Sequence, residues 1–150
     1  MPAVIEPSIE QRVRASFARQ PAMVTIGAEC VAVRMGEVDV RVPYAPALTQ
    51  QHGFIHAGII AMVADSACGY AALSLMPAEA AVLTTEFKLN LLSPAKGDFL
   101  IASGRVVRPG RKLMVCLGEV FAHDGAARKQ VALMTASMMV MQTDDTGLRD

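Results

Sequence analysis

No charge of one sign dominates this chain: fourteen basic residues balance fourteen acidic ones over 150 residues. Without a net field the molecule is not drawn as a whole onto nucleic acid or an anionic membrane, so general nucleic-acid binding is disfavoured. Cysteine is scarce as well. Cys30, Cys68 and Cys116 stand far apart in apolar surroundings and leave an odd one out, which fits reduced, buried thiols rather than a disulfide framework and points to the cytoplasm. An export signal is missing from the first ten residues, where Glu6, Glu10 and two prolines replace the basic start and apolar run that such a signal needs. Only Ile55 to Met76 is long enough to cross a bilayer, and it carries Asp65 near its middle with no closely flanking Lys or Arg. A carboxylate at mid-membrane costs about 2.5–3.5 kcal/mol. The stretch is therefore expected to be a helix buried inside protein, and no membrane partner is expected.

With 53% apolar residues, the chain has the size and composition of one domain spanning 1–150. Residues 1–22 read as a helical lead-in, because Ile9, Val13 and Phe17 recur at helical spacing before Pro21. From Met23 the texture changes to β-branched residues. Val38, Val40 and Val42 alternate with Glu37, Asp39 and Arg41, predicting two strands around a turn at Met35-Gly36. Pro43 to Phe54 reads as a loop into the long helix. After Pro77 alternation persists to about Met141, broken at Ser93 to Asp98, at Arg108-Pro109-Gly110 and at Asp124-Gly125. Those breaks divide it into four strands, expected to form an antiparallel meander, with 142–150 as a tail. A helix apolar nearly all round must be covered nearly all round. The fold class is therefore α+β, an antiparallel sheet curved about a long central helix, with a second subunit completing the burial.

Asp65 is the only carboxylate between His56 and Glu79. No cation lies within a turn or two of it, and a buried, unpaired carboxylate costs several kcal/mol, so its partner must come from elsewhere or it must face a wet pocket. Gly58, Ala61, Asp65, Gly69 and Ala72 share one helix face with almost no side-chain bulk, which leaves room beside the carboxylate. The segment Gly53 to Gly58 also presents free backbone N–H groups at a positive helix end. The amide of Ala57 is placed to hold the oxygen of a polarised carbonyl. His52 and His56 are four apart, but Gly53 between them and the lack of a third ligand argue against a metal. Ala57 and Asp65 are eight residues apart, roughly 12 Å along a helix. One carbonyl cannot meet both on one chain, whereas a two-fold dimer with antiparallel central helices gives two composite sites.

Gln50-Gln51-His52-Gly53-Phe54-Ile55-His56-Ala57-Gly58, followed by Ala64-Asp65-Ser66-Ala67-Cys68-Gly69-Tyr70-Ala71-Ala72, resembles the signature of the PaaI-like acyl-CoA thioesterases of the hotdog fold. Thr84-Thr85-Glu86-Phe87 through Leu91-Leu92-Ser93-Pro94-Ala95 to Gly97-Asp98 is similar to that family's next strand and turn. The resemblance implies a hotdog domain, dimers that pair into dimers of dimers, and hydrolysis of an acyl-CoA thioester with no metal and no cofactor beyond the CoA of the substrate. It makes Asp65 the nucleophile or general base and the Ala57 amide the carbonyl's donor. Gln50 matches a position that contacts the carbonyl or the water, and Thr84 one that orients the water. His56 and Gly58 flank the donor amide, His56 in the catalytic set and Gly58 on the substrate side. The family's usual His-Gly-Gly reads His56-Ala57-Gly58 here, which keeps the backbone donor and narrows its approach.

Arg105, Arg108, Arg111 and Lys112 surround the turn at Pro109-Gly110. The resemblance makes Arg108, Arg111 and Lys112 candidates for the CoA phosphates, and the guanidinium fork suits such oxygens. Two other readings remain open on sequence alone. A non-catalytic acyl-CoA-binding module has little reason to keep a costly carboxylate beside its pocket, and an enoyl-CoA hydratase needs an acid and a base that this segment does not supply.

Overall fold

The computed structural model describes residues 4–150, with backbone alone at 145 and 146. Helix α1 (Pro7–Ala18) is followed by α2 (Pro21–Ile26), β1 (Glu29–Arg34), β2 (Glu37–Pro43), a 3-10 turn (Pro46–Leu48) and the central helix α3 (Ala57–Leu73). Four long strands then run as β3 (Ala80–Leu91), β4 (Phe99–Arg108), β5 (Leu113–Asp124) and β6 (Ala127–Gln142), before a single turn of helix α4 (Thr143–Thr146).

Two expectations need correction. Met23 to Ile26 is helical rather than extended: Pro21 ends α1 but opens α2, where its missing N–H costs nothing, and Gly27 at φ 71° closes that turn. The sheet is also not a simple meander, because its order is β1-β2-β4-β5-β6-β3. Tight turns keep β4, β5 and β6 adjacent. The connection through α3 instead carries the chain from β2 to the far edge, where β3 pairs antiparallel with β6, and β4 takes the place beside β2.

Val38, Val40 and Val42 are fully buried, so the alternation in β2 does face one side into the core. Helix α3 lies on that face and touches β2, β3, β4, β5 and β6. Among the described residues no helix is long and apolar enough to cross a membrane. Residues from Ser66 to Leu73 are all buried, whereas Ala57, Gly58, Ala61, Met62 and Asp65 keep part of their surface. The helix is thus covered at its C-terminal half and left partly bare at its start.

Glycine at 104 sets how close helix and sheet come. A Cβ there would lie within 2.5 Å of the Cys68 backbone nitrogen, whereas one on Gly69 would meet nothing within 4 Å. Gly104→Ala should therefore cost about 3 kcal/mol or more in a urea titration, at the upper end of overpacking, because the obstacle is helix backbone and cannot swing aside. Gly69→Ala should instead be neutral or stabilising by up to about 1 kcal/mol, the intrinsic helix preference for Ala.

The two sheet edges differ. The β1 edge is six residues long, bulged between Cys30 and Ala32, and its Cys30 carbonyl accepts from Arg14 of α1. The β3 edge is twelve residues long, and Leu83, Phe87 and Leu91 along it are each about half exposed. The tail residue Asp150 takes the Val82 N–H, and the long remainder of the edge is a surface built to pair with another strand.

Candidate active site

Asp65 emerges from the middle of α3 toward the β3 edge, where the Thr84 hydroxyl donates to Oδ1 at 2.7 Å. Around the carboxylate lies a cavity of about 450 Å³. Its walls come from distant parts of the chain: Ser16, Arg19 and Gln20 at the end of α1, Gly69 and Tyr70 of α3, Val82 of β3, and Arg149 and Asp150 of the tail. Burial holds the Asp65 carboxyl above the usual aspartate range, and the Thr84 hydrogen bond pulls it part of the way back. The low-bulk face foreseen on the helix does its work at Gly69, which lines the cavity, while Ala72 belongs to the closed core.

The start of α3 is built differently. His56 is the N-cap, its Nδ1 accepting from the Gly58 N–H at 2.8 Å, and a Cβ on residue 58 would press on that ring at 3.1 Å. His56 and Gly58 thus shape the helix start, and neither lines the Asp65 cavity or the one beside Ala57. The Ala57 N–H has no acceptor among the described residues and borders a second cavity of about 360 Å³, with Phe54, Ile60, Leu91, Leu92 and Pro94 as its apolar walls. Gln50 borders it too. Its side-chain carbonyl accepts from the His52 and Phe54 amides, which leaves its NH2 group as the uncommitted donor.

The two cavities share no lining residue. Within one chain the structure joins Asp65 to Thr84, and separately Ala57 to Gln50. The strand β3 links them, with Thr84 at one and Leu91 at the other, roughly 23 Å apart at 3.3 Å per residue. Arg108, Arg111 and Lys112 are exposed around the β4–β5 turn and line neither cavity.

Residues 52–128 match the Thioesterase superfamily. The chain belongs to that family. A thioesterase family protein from Silicibacter pomeroyi is 51% identical, with a TM-score of 0.88 over 89% of this chain and 98% of that one. The PaaI protein of E. coli, from the phenylacetic acid degradation operon, shares the fold at 21% identity, with a TM-score of 0.81 over 91% of this chain and 95% of its own. A Bacillus halodurans protein solved with CoA is 26% identical, with a TM-score of 0.72 over 89% and 86% of the two chains. The PaaI-like hotdog architecture and thioester hydrolysis as the general chemistry follow from these likenesses.

Sequence reasoning did not find Ser16, Arg19, Gln20, Arg149 and Asp150 as cavity walls, and it gave Tyr70 and Phe54 no role. Nothing local marks them, since α1 and the tail reach the cavity only by packing across the end of the sheet. The Thr84 bond yields a direct test. Thr84→Ala removes the contact that favours the charged carboxylate, so the acidic limb of the pH–rate curve should move to higher pH and the rate fall about tenfold or more. Thr84→Ser should restore both.

Proposed function

We propose that this thioesterase hydrolyses acyl-CoA thioesters of small to medium acyl chain, or an aryl group, in the cytoplasm. The observation that carries the reading is a carboxylate held by Thr84 inside a cavity large enough for substrate. In this reading Asp65 either attacks the thioester carbon or takes a proton from a water that does, Thr84 orients the attacking group, and the carbonyl oxygen is held by the Ala57 N–H and the Gln50 amide. CoA as the thiol carrier is supported by the relative solved with CoA. The free thiols of Cys30, Cys68 and Cys116 suit a reducing compartment.

The reading requires a homodimer. Two β3 edges paired antiparallel about a two-fold between Phe87 and Lys88 set Thr84 of one chain opposite Leu91 of its partner. That pairing brings the Asp65 cavity of one chain to the partner's Ala57 cavity, removing the separation that forbids catalysis within one chain. It also covers the exposed side chains of Phe87 and Leu91. The convex face near the same end carries exposed Leu83, Leu113, Val115 and Met139, an apolar patch that supports pairing of two such dimers. A screen of acyl-CoA esters with detection of released thiol tests the reading. Turnover that depends on Asp65 is the expected result, and tight binding without thiol release from any ester would mark the chain as a binding module.

A further inference from the structure

Five of the ten arginines of this chain have partners. Arg14 pairs with Glu10, Arg34 with Glu37 and Asp39, and Arg41 with Glu29. Arg12 donates to the carbonyls of Met76 and Ala80, and Arg128 lies over the Phe121 ring. Of the other five, Arg105, Arg108 and Arg111 lie along β4 and the β4–β5 turn, whereas Arg19 and Arg149, 130 positions apart in sequence, line the same cavity, and neither has a carboxylate within 4.0 Å among the described residues. The placement of Arg149 is not left to a loose tail. Asp150 next to it accepts from the Val82 N–H at 2.8 Å and from the Ser16 hydroxyl at 3.0 Å, which fastens the tail along the start of β3. Burial pushes the Tyr70 phenol up and nearby Asp150 adds to that push, while the Ser16 hydrogen bond and, less strongly, Arg19 pull it back.

The rest of the cavity is polar. Ser16, Gln20, Ser66 and Tyr70 line it together with two carboxylates, Asp65, which accepts from Thr84, and Asp150, which accepts from Val82 and Ser16, and a hydrocarbon chain laid there would strip water from polar groups without replacing their hydrogen bonds. The cavity beside Ala57 is the apolar one. The Lys112 carbonyl accepts from the N–H of Val140 of β6, which pairs with Val82, so Lys112 and Arg111 lie at the same end of the sheet roughly 10 Å away at two strand spacings, with Arg108 on β4 one strand further, and together they add positive charge to that end.

We propose that Arg19 and Arg149 form an anion-binding pair at the Asp65 cavity, receiving a negatively charged oxygen group of the substrate. This rests on the thioesterase reading and adds what that reading leaves open, namely that the substrate carries an anion on the arm that enters this cavity. Two groups have that chemistry: a phosphate of CoA, or a carboxylate at the far end of the acyl chain. Guanidinium forks meet either one through two parallel bonds.

Four thioesters separate the sources: butyryl-CoA, glutaryl-CoA, and the N-acetylcysteamine thioesters of the same two acids, which lack every phosphate. The double variant Arg19→Ala/Arg149→Ala should raise KM about fivefold or more with kcat little changed, because these bonds hold substrate and transition state alike. A rise for both CoA esters and neither N-acetylcysteamine ester assigns the pair to phosphate. A rise confined to the two glutaryl esters assigns it to an acyl carboxylate. Arg19→Lys/Arg149→Lys should keep most of the affinity, and an unchanged thermal midpoint in the Ala variant separates lost recognition from lost folding. Equal KM values on all four esters overturn the pair and leave the thioesterase reading standing. Should the wild type hydrolyse none of the four, that reading fails, and calorimetric titration with free CoA and with glutarate decides the pair by itself. Weaker binding of either ligand to the Ala variant then supports it, whereas equal binding, or no binding to the wild type, overturns it.

Discussion

Asp65→Asn is expected to lower kcat by about 100-fold or more and, in the same protein, to raise the thermal midpoint at neutral pH. The first effect follows from chemistry, since an amide can neither attack the carbonyl as a carboxylate does nor accept a proton from water. The second follows from linkage. Burial raises the carboxyl's pKa in the folded state, so the folded chain binds this proton more readily than the unfolded chain does. Any stabilising contribution of this group is then complete below the unfolded value and is lost as pH rises through the folded one, so at neutral pH the ionised group opposes folding. Asparagine is neutral at every pH and removes that opposition while keeping an acceptor for Thr84. The gain in midpoint should shrink as pH is lowered toward the range where the wild-type carboxyl is protonated. Thioester assays and thermal melts on one preparation check both halves. Full activity in the folded variant would remove Asp65 from the reaction, and a lowered midpoint at neutral pH would show that its charge is matched by a neighbouring cation.

Rescue between two inactive variants is the second large effect. Ala57→Pro deletes the N–H that borders the apolar cavity, and the backbone accepts the change. Ala57 is the first residue of α3, and His56 before it sits at φ −61° and ψ 139°, the extended conformation a residue preceding proline requires. Removing an oxyanion donor of this kind costs about 10² to 10³ in kcat. Asp65→Asn supplies the other defect. If each site takes Asp65 from one chain and the Ala57 amide from its partner, a mixed dimer contains one site with both groups intact and one with neither. Random pairing makes half the dimers mixed, so co-refolded chains should regain up to about a quarter of wild-type activity. Mixed dimers confirmed by mass spectrometry but without activity would confine catalysis to one subunit, against the separation of the two cavities.

Much of this architecture is local and therefore readable. The turns at Pro109-Gly110 and Asp124-Gly125 fall between observed strands, and Val38, Val40 and Val42 do face the core. The lone carboxylate of the long helix does face a cavity. Where reading along the chain went astray, a local signal pointed two ways. Pro21 can end one helix or begin the next, and β-branched Val24, Thr25 and Ile26 suit a strand in isolation, yet Met23 and Ile26 are buried as one face of a helical turn. Strand order is not legible for a related reason, since hairpin signals specify neighbours and a crossover through a helix carries none.

Residue chemistry and helical rise alone place an ionisable group inside an apolar helix and a free backbone amide at the helix start, too far apart along the axis to share one carbonyl. What surrounds the carboxylate was decided by tertiary structure alone. Thr84 comes within 2.7 Å of Asp65 because β3 lies at the sheet edge beside α3, and Arg19 and Arg149 share one cavity because the end of α1 and the tail are packed over it. Groups 19 or 130 positions apart are brought to one cavity by the packing of whole elements, and no periodicity along the chain encodes that.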